Sequence, residues 1–205
     1  MANATSSQLQ QLYIAYFARP GDPMGLDYWT EAGITTKAFA ANMYLQPEFI
    51  SVNGSLSIQE QLNNIYQNLF NRDGDVEGID YWTKEIQTGK LVLASIANDL
   101  IYAVHNSTGG TEEEILQRLQ DLDCLSNRAA AANAYTAKIR ESLACILAYT
   151  PDSYSPWIPG GLEEGKSYMR DIGCDYAADI NPPCLICWDN NEVAPLSSNL
   201  YSSSL

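Results

Sequence analysis

Apolar side chains recur at helical spacing along most of the first 150 residues. In residues 8–19 they occupy positions 9, 12, 13, 16 and 17, which share one face of a helix. We expect this helix to end at Arg19, because the following Pro20 disfavours helical geometry in the residue before it. Asp22-Pro23 then predicts a new helix, with Asp22 as the N-cap and Pro23 at the first position, where no backbone donor is needed.

The same pattern returns 53 residues further along the chain (82 − 29 = 53). The matched pairs are Arg19 with Arg72, Asp22 with Asp75, and Asp27-Tyr28-Trp29-Thr30 with Asp80-Tyr81-Trp82-Thr83. So many matches at one offset define an internal repeat, a helix–loop–helix unit that we call the cassette. Its copies cover about 8–50 and 61–105, and each ends in a further helix, predicted at 36–48 and 90–105.

The second half of the chain divides into a helical part and a part of different composition. Thr111 and Glu114 form a predicted capping box, and apolar positions 115, 116, 119, 122 and 125 continue a helix. An alanine-rich helix follows Ser126-Asn127-Arg128 and extends to about residue 149. Residues 151–205 hold most of the prolines, three of the five cysteines and two of the four tryptophans. We therefore predict an all-α fold: a helical domain over 1–150, built on two repeats plus a long helix, and an irregular C-terminal arm over 151–205 with one short helix at 162–171.

The charge of the chain limits its partners. It has 25 acidic and 11 basic residues, a formal net charge of −14. Phosphate backbones and anionic lipid would be repelled, so we expect neither nucleic-acid binding nor membrane insertion. Calcium and basic partners remain compatible with such a surface. The start, Met-Ala-Asn-Ala-Thr-Ser-Ser-Gln, has no secretion-signal pattern, so we expect an extracellular or cell-surface location reached by a leaderless route, or a place in a virion.

The repeated line Tyr-x-x-x-Phe-x-Arg-x-x-Asp-x-x-Gly-(Leu/Ile)-Asp-Tyr-Trp resembles the DUF4214 family. Members of this family are all-helical modules of bacterial, especially cyanobacterial, surface-layer and RTX-type secreted proteins. The likeness covers roughly residues 8–150. It implies an anchoring or assembly domain at a cell surface, in contact with lipopolysaccharide or another glycan such as capsule, and it brings no catalytic activity.

An acidic loop in the second cassette imitates the opening of a calcium-binding loop. Asp73, Asp75 and Glu77 stand at positions 1, 3 and 5 of an EF-hand-like pattern, but Lys84 occupies position 12, where a bidentate Glu is required. The alternative is that Asp75 is simply a helix N-cap, with Arg72 binding loop carbonyls or the Asp. We favour the N-cap and keep calcium as the alternative.

The paired aromatic residues also have two interpretations. Tyr and Trp rings beside acids are common in sugar-binding sites, which makes Tyr28, Trp29, Tyr81 and Trp82 candidate contacts for glycan or a partner. Trp at helical spacing from an aliphatic residue is more often a core wedge, with its indole N–H bonded to a backbone acceptor. We favour the core wedge. Trp157 and Trp188 in the arm are further candidate contacts.

The cysteines leave several arrangements open. Cys184 and Cys187 have the spacing of a zinc knuckle, and Cys174 with Cys145 or His105 could complete four ligands. A local disulfide, or a disulfide from one of the pair to Cys174, is the alternative that we favour, and free thiols are the third. An odd number of cysteines leaves at least one thiol unpaired in the monomer.

No catalytic constellation is recognisable in the chain. His105, the single histidine, has no partnered nucleophile, and no nucleophile elbow or phosphate-binding glycine loop is present. We therefore expect a non-enzymatic structural or assembly protein at a bacterial surface, which binds copies of itself, other surface proteins or glycan. The alternative is a phage virion component, such as a decoration, tail or fibre-associated protein, that carries the same module.

Overall fold

A computed structural model describes residues 2–149 and 160–174 of the chain. Every regular element in these ranges is helical, which confirms the predicted all-α fold. The helices are α1 (Ser6–Phe17), α2 (Pro23–Glu31), α3 (Thr36–Tyr44), α4 (Pro47–Asn53), α5 (Ile58–Phe70), α6 (Val76–Gln87), a 3-10 turn (Leu93–Ser95), α7 (Ile96–Asn106), α8 (Glu112–Ile139), α9 (Leu143–Tyr149) and α10 (Gly160–Asp171). None of these described helices is both long and apolar enough to cross a membrane.

Helix α1 is the centre of the fold. It is buried almost all round, with an unbroken buried run over 12–17, because α3, α5 and α8 pack against different sides of it. Leu9 and Leu12 join Phe39 of α3 and Leu62 of α5 in the main core. A helix surrounded in this way needs apolar side chains on more than one face, which explains why positions 12 and 13 and positions 16 and 17 are apolar pairs.

A second core cluster joins α8 to α9 and α10. Ile14 on the far side of α1 packs with Tyr135 of α8, and Leu162 and Met169 of α10 complete the cluster. The short helix predicted at 162–171 is therefore present as α10, and its apolar side is buried against the helical body. The rest of the predicted arm, residues 151–159 and 175–205, lies outside the described residues.

Local sequence signals set most of the helix ends. Capping boxes begin α1 at Thr5, α5 at Ser57 and α8 at Thr111, the last as predicted. The helices that precede the two cassette loops both end on a residue in the left-handed region, Ala18 at φ 55° and Asn71 at φ 54°. This conformation turns the chain out of the helix axis and into the loop.

Several predicted helix bounds differ from the structure. The first helix ends at Phe17, two residues before the predicted end at Arg19. The helix expected at 36–48 is two helices, α3 and α4, because Pro47 begins a new helix rather than continuing the old one. The helix expected at 90–105 begins only at Ile96, after Gly89 at φ 74° and a 3-10 turn. Conversely, α8 continues through Ser126-Asn127-Arg128, where the sequence predicts a boundary, since none of these residues breaks a helix. The alanine-rich helix predicted to extend to about 149 ends at Ile139, and a separate helix, α9, begins at Leu143.

Candidate functional site

Each cassette loop is fixed by an arginine that binds a carboxylate on a distant helix. The guanidinium of Arg19 makes two hydrogen bonds of 2.8 Å to Glu48 of α4 and a third to the carbonyl of Pro20. Burial lowers the pKa of Arg19, but the charge and hydrogen bonds of Glu48 outweigh it and leave the pKa raised. Arg19 is therefore a fixed cation at the base of the first loop.

Arg72 has the same role in the second cassette with a different helix as its partner. It binds Asp121 of α8 through two hydrogen bonds of 2.8 and 2.7 Å, and it donates to the carbonyl of Asp73. The prediction that Arg72 binds a loop carbonyl is confirmed by this last contact. Both loops are therefore closed by an intramolecular ion pair, and neither arginine is available to a ligand.

The acidic loop residues are engaged in hydrogen bonds within the protein. Asp22 and Asp75 accept the backbone N–H of Gly25 and Gly78 at 2.6 Å, which confirms both as N-caps. Asp73, predicted with Asp75 and Glu77 as a calcium ligand, accepts hydrogen bonds from two carboxamides. Across the described part of the chain, no three acidic, His or Cys side chains come together as a metal-binding group.

The tryptophans and tyrosines of the cassettes point in different directions. Trp29 is half-buried and packs edge-on against Phe39, and the indole N–H of half-buried Trp82 donates to the Tyr66 hydroxyl at 3.1 Å. The acceptor of the Trp82 indole is therefore a side-chain hydroxyl, whereas the sequence predicts a backbone acceptor. Tyr28 and Tyr81 lie on the surface, each edge-on to its own Trp. The Trp rings are thus wedges, and of the predicted contacts only the two tyrosines are exposed, while Trp157 and Trp188 lie outside the described residues.

Cys174 forms a disulfide with Cys124 of α8. The expectation that its partner would be Cys184 or Cys187 is wrong, because α10 places Cys174 beside the first half of α8. A disulfide sulfur is no thiolate ligand, so Cys174 is not available to zinc in this structure. Cys145 is also disulfide-bonded. The question of a Cys184–Cys187 pair falls outside the described residues.

The disulfide belongs to a larger attachment between α8 and the segment after α10. Asn127 donates to the carbonyl of Cys174, and Arg128 donates to the carbonyls of Ile172 and of Asn68 in α5. Arg128 is almost fully buried, and this burial lowers its pKa to about 10. We call the contacts of Cys124, Asn127 and Arg128 with residues 172–174 the clasp. Together they hold the chain after α10 against the helical body.

The most distinctive surface feature is a groove where α1, α7 and α8 meet. Two adjoining cavities of about 290 and about 330 Å³ share Gln11 and His105 in their walls. Leu12 and Leu125 contribute to an apolar floor, and Tyr102 lies at one side. We call the two cavities together the His105 groove.

The polar lining of the His105 groove consists of hydroxyl, carboxamide and imidazole groups. Of the residues that the structure describes, no Asp, Glu, Lys or Arg lines either cavity. Among the described residues, no hydrogen bond engages the side chains of Gln11, Asn133 or His105. In the sequence, His105 is an isolated helix-terminal residue, and nothing points to Gln11, Tyr102 or Asn133. No local signal could have found them, because they come from three helices that only the fold brings together.

Comparison with known proteins gives one finding. Residues 40–100 match the family model described as a domain of unknown function (DUF4214). The matched segment runs from α3 into α7 and includes the loop of the second cassette. Neither the curated proteins nor the solved structures compared with the chain gave a match. Residues 40–100 are thus similar to a DUF4214-type helical module. This is the family that the repeated line of the cassettes resembles.

Proposed function

We propose that this protein is a non-enzymatic anchoring module of a bacterial surface, and that it holds glycan in the His105 groove. The observation that carries the proposal is a polar lining of that groove without carboxylate, ammonium or guanidinium groups among the described residues. The groove offers several hydrogen-bonding side chains that have no hydrogen-bond partner among the described residues, above an apolar floor. Concave sites with an apolar base and a few convergent polar groups are the usual form of a small-ligand site.

The lining indicates an uncharged ligand that is rich in hydroxyl groups. Carboxamide side chains such as Gln11 and Asn133 donate and accept, as a sugar hydroxyl requires from its partners. The ring of Tyr102 is 66% exposed and offers an apolar face with a polar tip. A charged ligand would find no carboxylate, ammonium or guanidinium counter-ion among the described residues that line the groove.

The contrast with the composition of the chain makes this lining informative. The chain has a net charge of −14, yet no carboxylate of the described residues lines the groove. A third cavity, of about 280 Å³, lies beside Ala18 and contains Glu48 and Lys166, which form an ion pair. Its polar groups are thus already occupied, which favours the His105 groove as the ligand site.

The disulfides support a location outside the reducing cytoplasm. Structural disulfides persist in oxidising compartments and on cell and virion surfaces. Cys124–Cys174 and the bonded Cys145 lie in or beside the second core cluster, where they strengthen the body rather than serve as exposed redox groups. This agrees with an anchoring role at a surface.

The test is binding of purified protein to an array of neutral and acidic bacterial oligosaccharides, followed by calorimetry on the best neutral ligand. We expect neutral glycans to bind, and Tyr102→Ala or Gln11→Ala to weaken binding at least tenfold. Tyr28→Ala is the matched control, since Tyr28 is 63% exposed but lies outside the groove, and it should bind as the wild type does. Equal loss in both Tyr variants, or binding confined to acidic glycans, would contradict the proposal.

A further inference from the structure

The first turns of α8 project from the body and expose apolar side chains. Leu116 and Leu119 are 55% and 51% exposed, and Ile115 beside them is also exposed. The opposite side of the same turns contacts the body through Asp121, which binds Arg72 of the second cassette loop and also accepts a hydrogen bond from Gln117 within α8. The position of α8 is therefore fixed, while no element of the described residues covers its leucines.

Helical spacing places acids at both ends of this leucine pair. Glu112, Leu116, Leu119 and Asp123 are separated by 4, 3 and 4 residues, so they follow one another along a single side of the helix. Glu112 and Asp123 are both exposed. We call this acid–leucine–leucine–acid row the outer face of α8.

A second copy of the chain is a poor occupant of the outer face. If two such helices pair in opposite directions, Glu112 meets Asp123 of the other copy. If they pair in the same direction, each acid meets its own counterpart. Like charges oppose one another in both arrangements, and such contacts destabilise helix pairing.

The chain itself offers little basic complement to this face. Residues 175–205 contain no Lys or Arg, so the C-terminal segment would also bring acids towards it. Within the described ranges most cations are engaged: Arg19, Arg72, Lys90, Lys138, Arg140 and Lys166 form ion pairs. Another protein is therefore the better source of the charge that complements the outer face.

We infer that the outer face of α8 is a docking surface for an amphipathic helix of a partner protein, with two apolar residues flanked at each end by a basic residue. The leucines supply the apolar contact, and Glu112 and Asp123 select the partner by its charge. This surface is separate from the His105 groove, and the inference does not depend on glycan binding.

The test uses two synthetic helical peptides that carry leucines at the spacing of the outer face. One peptide has Lys at the two flanking positions and the other has Glu. We expect the Lys peptide to bind the full chain at least tenfold more tightly than the Glu peptide in fluorescence anisotropy. The charge-reversed variant Glu112→Lys/Asp123→Lys should reverse this preference. If the Lys peptide were attracted only to the acidic protein as a whole, the two substitutions would not reverse it.

Two further variants separate the outer face from other apolar surfaces. Leu116→Gln/Leu119→Gln should abolish binding of the Lys peptide, with an unchanged thermal midpoint because both side chains are exposed. Leu143→Gln/Leu147→Gln, an exposed pair on α9, is the matched control and should bind as the wild type does. The inference is overturned if the α8 variant keeps its affinity, or if sedimentation shows self-association of the wild type that this variant abolishes.

Discussion

At the scale of single residues, the two cassettes place different side chains at the same left-handed helix end. Both preceding helices end in the left-handed region, at Ala18 in one copy and Asn71 in the other. Asn tolerates this region because its short amide can bond locally, whereas Ala meets the steric penalty of an L-residue. The first cassette therefore holds backbone strain that the second largely avoids.

This difference gives a paired prediction. Ala18→Gly should raise the free energy of unfolding by about 1 kcal/mol, because glycine has no Cβ to clash at positive φ. Asn71→Gly should change it by only a few tenths of a kcal/mol, since the strain there is already small. Urea denaturation with unchanged slope would measure both. An equal gain at the two positions would show that the helix ends are not strained differently.

At the scale of helices, three capping boxes begin α1, α5 and α8, and they differ in charge. The reciprocal side chain is neutral Gln8 in α1 but Glu60 in α5 and Glu114 in α8. Hydrogen bonds from Ser57 lower the pKa of Glu60 below its usual 4.5, and those from Thr111 do the same for Glu114. Two of the three helix starts are therefore sensitive to acid.

The lowered pKa values fix the direction of the pH effect. A carboxylate with a lower pKa in the folded state stabilises the fold above its unfolded pKa, and this stability is lost as the pH falls through the folded pKa. We expect the thermal midpoint to decline as the pH drops below about 4.5. Glu60→Gln/Glu114→Gln should flatten this decline, because glutamine keeps the acceptor without titrating. Glu113→Gln, in the first turn of α8 but outside the box, should keep the wild-type slope.

At the scale of the whole molecule, the clasp links parts of the chain that are far apart in sequence. The disulfide between Cys124 and Cys174 closes a loop with a sequence separation of 50. A cross-link that closes a loop of this length stabilises the folded state by roughly 2–4 kcal/mol, mainly because the unfolded chain loses conformational freedom. Cys124→Ser/Cys174→Ser should therefore lower the free energy of unfolding by about 3 kcal/mol. An unchanged free energy of unfolding would contradict this prediction. A reducing agent added to the variant still cleaves the bond at Cys145, so its effect on the midpoint measures that bond separately. A further drop would assign part of the stability to the bond at Cys145.

The molecule also shows which structural features were predictable from the sequence. Asp22, Asp75 and Thr111 were identified correctly because a cap depends on residues within one helical turn. The partners of Arg19 and Arg72 were not predictable, since Glu48 lies on α4 and Asp121 on α8, at positions that do not correspond in the repeat. The repeat therefore conserves the loop while the contacts that close it differ between copies.

The candidate sites were less predictable for the same reason. The pairing of cysteines does not follow from their spacing. The proximity of Cys184 and Cys187 to Cys174 in the sequence predicts a pair among these three, whereas the partner of Cys174 is the distant Cys124. The His105 groove is formed by α1, α7 and α8, and each contributes side chains that look ordinary on their own helix. Features that need three helices to meet can be recognised only once the packing is known.

The clasp has a mechanical consequence if the protein anchors one body to another, as we propose. If the chain is held before Cys124 and pulled beyond Cys174, tension passes through the covalent bond and bypasses the 49 residues between them (173 − 125 + 1 = 49). At about 3.4 Å per residue, roughly 170 Å of chain is thereby withheld from extension. Helices α9 and α10 would therefore carry no tension under a load that unravels the cassettes, and their chain would stay closed as a covalent loop while the N-terminal half unfolds.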